Sequence, residues 1–138
     1  MRKIIFIIAT SIKHLHDNGM VHRDIKLENI LCVRNGNDVL NVKLCDFGLS
    51  MGEKPLSKCQ VIVGTAHYVA PEIIMKHTHS KCQDMWSLGV MAYLLLTGCY
   101  PFEGSSNLEV EKNIVNMLPI VSKIKSKDAM IFVKGTTY

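Results

Sequence analysis

The chain has 138 residues, of which 48% are hydrophobic and 20% are charged, and its formal net charge is +4. This length suits one globular domain, and the composition excludes an intrinsically disordered chain. The positive charges are spread over much of the sequence without a dense block, which argues against a nucleic-acid-binding protein.

The cysteines and histidines favour an intracellular protein without a zinc site. The five cysteines are an odd number and include no Cys-x-x-Cys pair, which is typical of reduced thiols inside a cell. Two histidine pairs occur, His14/His16 and His77/His79, but neither has helical ligand spacing or a cysteine pair nearby. We therefore expect surface or helix-capping histidines, and an intracellular, cytoplasmic location.

The first predicted element is an amphipathic helix over residues 3–16. Its apolar residues follow 3-4-3 helical spacing from Ile5 to Leu15, and the Asp-Asn-Gly triplet at residues 17–19 supplies a C-terminal stop. The basic start and apolar run imitate a secretory signal, but Lys13 interrupts the run early and no small-residue cleavage site follows. The other apolar stretch is far shorter than the ~20 residues that span a bilayer. The sequence therefore predicts no membrane span.

An octet at residues 22–29, His-Arg-Asp-Ile-Lys-Leu-Glu-Asn, precedes a predicted β-hairpin. A strand, a turn and a second strand with alternating polarity are predicted in that order over residues 30–33, 34–37 and 40–44. Because the open ends of a hairpin lie side by side, we expect Asn29 and Asp46 to lie close together. Two oxygen ligands on one edge suit a magnesium ion that carries phosphate.

The rest of the chain is predicted to be a long loop followed by helical segments. Residues 49–66 lack a sustained period and are rich in Ser, Lys and Gly, which is typical of a long mobile loop. Asp84 is expected to cap a helix over residues 85–96 that is apolar nearly all round, ends at Gly98 and forms the buried centre. Shorter helical segments are predicted over residues 73–76, from Ser106 or Asn107 to Pro119, and over residues 126–133. In the segment after Ser106, one apolar face should hold Val110, Ile114, Met117 and Leu118.

Three motifs in a fixed order connect the sequence to a known family. The octet at residues 22–29 is followed by Asp-Phe-Gly at 46–48 and by Ala-Pro-Glu at 70–72. In this order they resemble the catalytic and activation segments of a protein kinase. The resemblance is good over about residues 3–104 and poor over 105–138. Within the kinases it is greatest to the calcium- and calmodulin-regulated group, including its calcium-dependent branch.

The resemblance implies an α+β, mainly α-helical fold, namely the C-terminal lobe of a protein kinase with a short β-hairpin. Residues 1–138 would then be a partial kinase domain. The 21 residues before His22 contain no glycine-rich phosphate loop and no strand lysine, so we expect the N-terminal lobe to be absent. On this expectation the chain alone is inactive, and calcium or calmodulin would act only through parts outside it.

The resemblance also implies a catalytic set and an ATP-binding set. Asp24 occupies the position that accepts or orients the substrate hydroxyl proton, and Lys26 that of the lysine that steadies the transferring phosphate in serine/threonine kinases. The magnesium ligands would be Asn29 and Asp46, and with Lys26 and Glu28 these would bind ATP with Mg²⁺. Glu28 also suggests a preference for basic peptides, with a solvated loop glutamate as the alternative.

Other positions match supporting residues of the family. Thr65 falls where serine/threonine kinases place a threonine that contacts the catalytic aspartate and lysine, and Glu72 belongs to the substrate-docking part of the activation segment. Structural support is implied for His22, Arg23, Phe47 and Asp84. His22 and Phe47 resemble the family's internal packing residues. In kinases the aspartate at the Asp84 position ties down the backbone of the catalytic loop, which is compatible with its predicted role as a helix cap.

Two departures from the family pattern concern arginine partners. The family's counterpart of Arg23 usually meets an acid or phosphate on the activation loop, yet the position three before Gly64 is Val61, and Ser57 is the nearest serine. The only arginines are Arg2, Arg23 and Arg34, so no later one can pair with Glu72. We therefore expect the isolated chain to be marginally stable or partly unfolded.

Two functions remain open at this point. The first is a serine/threonine kinase, with ATP and a protein or peptide substrate as partners, present as an incomplete catalytic domain. The second is a non-catalytic kinase-like binding module or a truncated gene product. The intact site residues favour the first, whereas the expected lack of a phosphate-covering lobe favours the second.

Overall fold

The computed structural model describes residues 2–36, 38–52, 65–75 and 79–137, and this part of the chain is mostly helical. Its helices are α1 Arg2–Asp17, α2 Pro71–Ile74, α3 Lys81–Thr97, α4 Asn107–Asn116 and α5 Lys127–Thr137. Its strands are β1 Met20–Val21, β2 Ile30–Asn35, β3 Asp38–Leu44 and β4 Met51–Gly52. Short 3-10 turns lie at Leu27–Asn29, Ala66–Tyr68 and Val121–Lys123.

The predicted β-hairpin is confirmed. Strands β2 and β3 pair antiparallel with Ile30 opposite Leu44, and an irregularity between Val33 and Arg34 shifts the register near the turn. A second, smaller sheet was not predicted. In it, β1 pairs antiparallel with β4, and Met20 lies opposite Gly52. Most of the predicted loop over residues 49–66 lies outside the described residues.

Helix α1 confirms the first predicted element within one residue at each end. Its apolar stripe faces the interior, where Ile8 and Ile12 are completely buried. The helix is followed by Gly19 at φ +67°, a left-handed conformation that costs glycine little. Helix α1 therefore packs one face against the core and leads directly into the octet.

Helix α3 is the buried centre of the molecule, as predicted. Ten of its 17 residues are buried, and it ends at Gly98 with φ +76°. The predicted cap at Asp84 is wrong, because the helix begins at Lys81, three residues before Asp84. Ser80 is the N-cap, and its hydroxyl accepts the N–H of Cys82 at 3.2 Å. Asp84 thus lies inside the first turns, where its side chain faces the interior.

The C-terminal helices follow the prediction only in part. Ser106 caps α4 by accepting the N–H of Glu109, and Val110 and Ile114 are buried as expected. Met117 and Leu118 were assigned wrongly to this face, since they are 60% and 71% exposed. The reason is that α4 ends at Asn116 and Met117 is extended, so helical spacing no longer applies.

Two other helical segments have shifted bounds. Helix α2 begins at Pro71 rather than at residue 73, and the predicted end at Lys76 lies outside the described residues. Helix α5 extends to Thr137, four residues beyond the predicted end. Within the described ranges, no helix combines the length and apolarity needed to cross a membrane.

Helices α3 and α5 pack so closely at Gly89 that a side chain has no room there. A Cβ atom at this position would overlap the Thr136 hydroxyl and lie 2.9 Å from Thr137 Cγ2. We expect Gly89→Ala to lower the free energy of unfolding by about 1–3 kcal/mol through overpacking.

The matched control for this prediction is Gly135→Ala in α5, where an added Cβ meets nothing within 4 Å. This change should stabilise the chain by about 0.5–1 kcal/mol, because alanine is the better helix former. Urea unfolding measures both variants, and equal effects of the two substitutions would contradict the close packing of α3 and α5.

Candidate functional site

The buried carboxylate of Asp84 fixes the backbone at the start of the octet. Its side chain is completely buried, Oδ2 accepts the backbone N–H of His22 at 2.9 Å, and Oδ1 accepts that of Arg23 at 2.9 Å. His16 Nε2 lies 2.8 Å from Oδ2 and completes the set of donors. A buried carboxylate is stable only with such partners. Helix α3 therefore holds the octet in place.

Two histidines correct the expectation of surface or capping roles. His16 is half-buried and meets Asp84, and His79 is 3% exposed with its Nδ1 2.7 Å from Gln83 Oε1. The sequence held a signal for His16, because it follows the buried Ile12 by four residues and so lies near the same face of α1. No comparable signal points to His79.

Asp24, Lys26 and Asn29 converge within hydrogen-bonding distance. Lys26 Nζ is 2.8 Å from Asp24 Oδ2, and the Asn29 side-chain amide donates to the same oxygen at 2.9 Å and to the Asp24 carbonyl at 2.8 Å. Asp24 and Asn29 are buried, whereas the Lys26 side chain is 21% exposed. The hydrogen bond to Asp24 raises the pKa of Lys26, so the amine stays a cation at neutral pH.

This convergence leaves one oxygen of Asp24 available. Both side-chain contacts of the carboxylate end on Oδ2, and no residue in the described part of the chain donates a hydrogen bond to Oδ1. The buried aspartate can therefore accept one further proton donor while its position is fixed by Lys26 and Asn29.

His22 joins the octet to the end of the hairpin. It is completely buried, its Nε2 donates to the Cys45 carbonyl at 3.2 Å, and its Nδ1 accepts the N–H of Asp24 at 3.3 Å. Burial lowers the pKa of His22, which favours the neutral ring that this pair of contacts requires. Phe47 packs edge-on against this ring, with 5.0 Å between the ring centroids. Its 47% exposure is higher than that of an internal packing residue.

The hairpin brings Asn29 next to the residue that precedes Asp46. The Cys45 N–H donates to the Asn29 carbonyl at 2.9 Å, and the Cys45 thiol lies 3.1 Å from the same oxygen. Asp46 itself is exposed, and its Oδ1 accepts the N–H of Gly48 at 3.2 Å. Two candidate oxygen ligands thus lie on the same edge of the octet.

This edge fits a magnesium ion that arrives with a phosphate. Such ions take one or two protein oxygens and fill their remaining positions with phosphate and water. Asn29 uses its amide nitrogen toward Asp24 and keeps its Oδ1 for a metal, while Asp46 supplies a carboxylate. No group of three or more histidine, cysteine or acidic residues that could hold a metal by itself occurs among the described residues.

Two residues of the site have left-handed backbone conformations. Arg23 has φ +71° and Asp46 has φ +61°, a region that non-glycine residues seldom adopt. The Arg23 Nε donates to the Leu49 carbonyl at 2.5 Å, which ties the octet to the chain after the second motif. Ser57, the nearest loop serine, and Val61, which stands where the family usually has an acid or phosphate partner, lie outside the described residues.

The remaining predicted residues lie at the margins of the cluster. Thr65 borders a small cleft that Asp24 also lines, so the two are neighbours. Glu72 is half-buried and, among the described residues, has no hydrogen bond or ion pair, which agrees with the lack of a later arginine. Glu28 is exposed on the 3-10 turn and is not drawn into the cluster.

The lowered pKa of His22 predicts a pH-dependent stability. In the unfolded chain histidine binds a proton near pH 6.5, whereas the folded state resists protonation until the pH is lower. Stability should therefore be constant above about pH 6.5 and should fall as the pH decreases below it. His67, whose pKa burial also lowers, adds a contribution of the same sign.

Unfolding by urea at pH 7.5 and pH 5.5 tests this dependence. The loss of stability between these two values should be smaller in His22→Phe than in the unchanged chain. His14→Gln is the control, because that side chain is exposed. An unaltered loss in His22→Phe would refute the assignment.

Comparisons with known proteins agree with this geometry. The protein kinase domain family matches residues 1–135. The chain is 36% identical to calcium-dependent protein kinase 4 of Plasmodium berghei over 141 residues, covering 99% of the chain and 26% of that protein. It is 38% identical to a probable myosin light chain kinase of Dictyostelium discoideum, covering 83% of the chain and 36% of that protein.

A human relative shows the same pattern. Myosin light chain kinase family member 4 of Homo sapiens is 43% identical over 108 residues, covering 78% of the chain and 27% of that protein. The chain thus spans about a quarter to a third of the length of these relatives. The resemblance indicated by the three motifs is confirmed.

Proposed function

The chain belongs to the protein kinase family, and on this premise we propose that its site transfers the γ-phosphoryl group of ATP to a serine or threonine of a protein substrate. The observation that carries the proposal is the convergence of Lys26 and Asn29 on Asp24, whose Oδ2 lies 2.8 Å from Lys26 Nζ and 2.9 Å from the Asn29 amide nitrogen. Phosphoryl transfer requires mainly positioning and charge neutralisation, and an acid, a cation and an amide in fixed geometry supply both.

In this proposal Asp24 orients the substrate. Lys26 and Asn29 occupy Oδ2, so the substrate hydroxyl donates its hydrogen bond to Oδ1. The hydroxyl oxygen attacks the γ-phosphorus, the bond to the β-phosphate oxygen breaks, and the proton passes to Asp24 as ADP leaves. Because Asp24 is buried, bulk water competes little for this hydrogen bond.

Lys26 would hold the transferred phosphate, and it supports the serine/threonine assignment. Its raised pKa keeps the ammonium charged, and its partly exposed Nζ can contact phosphate oxygens without leaving Asp24. A lysine two residues after the aspartate is typical of serine/threonine kinases, whereas tyrosine kinases usually have a different sequence here. Mg²⁺, held by Asn29 and Asp46, would neutralise charge on the phosphate oxygens.

We also propose that residues 1–138 form part of a kinase domain, the helical C-terminal lobe with its hairpin. The order of the three motifs and the length of the matched relatives support this assignment. The nucleotide would then need further protein groups over its phosphates, supplied by a different segment. Protein substrates and any calcium or calmodulin dependence belong to the whole protein, and the intracellular location stays a prediction.

A chimera tests the chemistry of the site. The 108 residues aligned with the human relative replace their counterpart in that protein, and phosphorylation of a basic serine peptide is measured with ATP and Mg²⁺. The chimera should be active, and Asp24→Asn should lower kcat about 10²- to 10⁴-fold. Asp17→Asn is the control, since that acid is exposed and lies outside the site.

The outcome of this assay separates the two functions. A folded chimera that binds ATP but shows no transfer, with Asp24→Asn no slower, would favour the non-catalytic binding module. Activity that Asp24→Asn leaves unchanged would contradict the role proposed for Asp24.

Glu28 would determine a preference for basic peptides. Its carboxylate is exposed on the turn between Lys26 and Asn29, where an arginine before the phosphorylated serine could reach it. In the chimera, Glu28→Gln should reduce the ratio of rates for peptides with and without upstream arginines by about 10-fold or less, since exposed charge pairs are weak. Glu103→Gln, another exposed acid, is the control, and equal rates on both peptides before mutation would end the idea.

A further inference from the structure

A small cleft lies where three elements of the site meet. It has a volume of about 10 Å³, and its walls come from the octet, from residues 65–73 and from the first turns of α3. The polar members of the lining include Asp24, Thr65, Gln83 and Ser87. The cleft therefore borders the aspartate of the proposed chemistry, although nothing in that chemistry uses it.

Gln83 lines this cleft and carries an unsatisfied polar group. The residue is 5% exposed, and its Oε1 is engaged by His79 Nδ1 at 2.7 Å. Its Nε2 is completely buried and has no hydrogen-bond partner among the described residues. A buried amide donor without an acceptor costs about as much as a lost hydrogen bond, so such groups are normally satisfied by protein or by ordered water.

We propose that the cleft is a binding site for one ordered water molecule. Its volume of about 10 Å³ is enough for a single water. The water oxygen accepts the Nε2–H of Gln83, and its hydrogens turn toward oxygens of the other walls. Asp24, Thr65 and Ser87 line those walls, which gives the site the two to four polar partners that a buried water requires.

This water would link Gln83 of α3 to the octet. The direct hydrogen bonds between α3 and the octet are those that Asp84 accepts from the backbone N–H groups of His22 and Arg23. The water extends the contact by one residue, to the wall that holds Asp24, and joins it to Thr65, which also lines the cleft. The inference depends on the cleft and on the unpaired Nε2 of Gln83, and it holds whether or not the chain transfers phosphate.

Nuclear magnetic resonance on the unchanged chain tests the site without mutation. The side-chain amide protons of Gln83 should show a cross-relaxation peak with a water molecule that stays bound for longer than a nanosecond. In a crystal of the same chain, a water oxygen should lie about 2.7–3.2 Å from Nε2. A dry cleft in the crystal, or amide protons without the peak, would overturn the proposal.

Stability measurements separate the water from the bond to His79. Gln83→Met keeps the side-chain shape and removes both functions of the amide, while His79→Phe removes only the bond to Oε1. If the water is bound, Gln83→Met should lower the Tm by roughly 3–5 °C even in the His79→Phe background. If Nε2 has no partner, the same change should leave the Tm unaltered or raise it, because a buried orphan is then removed. Should either variant fail to fold, the resonance measurement on the unchanged chain decides.

Discussion

The carboxylate of Asp84 is the contact on which the rest of the site depends. It lies on the most deeply buried helix and accepts hydrogen bonds from two successive backbone N–H groups of the octet and from His16 of α1. Three separate elements are thereby held by one side chain with no access to water. Without it, the two backbone donors would be buried and unpaired, and the left-handed conformation of Arg23 would lack support.

Elements governed by local chemistry could be predicted from the sequence. Helix α1, the hairpin and the stop at Gly98 follow from helical spacing, turn residues and a glycine that tolerates φ +76°. The cap of α3 was predicted wrongly, because a contact with a segment distant in sequence decided between two candidate residues. Ser80 and Asp84 are both good caps, and only the position of the octet explains why Asp84 faces inward.

The resemblance predicted the residues of the cluster and a supporting role for Asp84, but it did not predict the strained backbone at Arg23 and Asp46. Asp24, Lys26 and Asn29 are close in sequence, so a single turn suffices to bring them together. The left-handed conformations of Arg23 and Asp46 carry no glycine signal, and the His79–Gln83 pair has no periodic pattern. Such features exist because tertiary contacts impose them, and they become apparent only in three dimensions.

The long sequence separation between Asp84 and the octet also bears on how the chain is made. The hydrogen bond from His22 spans 62 positions, so the octet leaves the ribosome seconds before its anchor is synthesised at roughly 5–20 residues per second. Contacts of such high order form late, after the entropy of closing the intervening loop has been overcome. A nascent chain can therefore contain a folded α1 and hairpin while the octet between them has not yet adopted its final conformation. Stalled or shortened chains that end before α3 would display the octet sequence without its geometry.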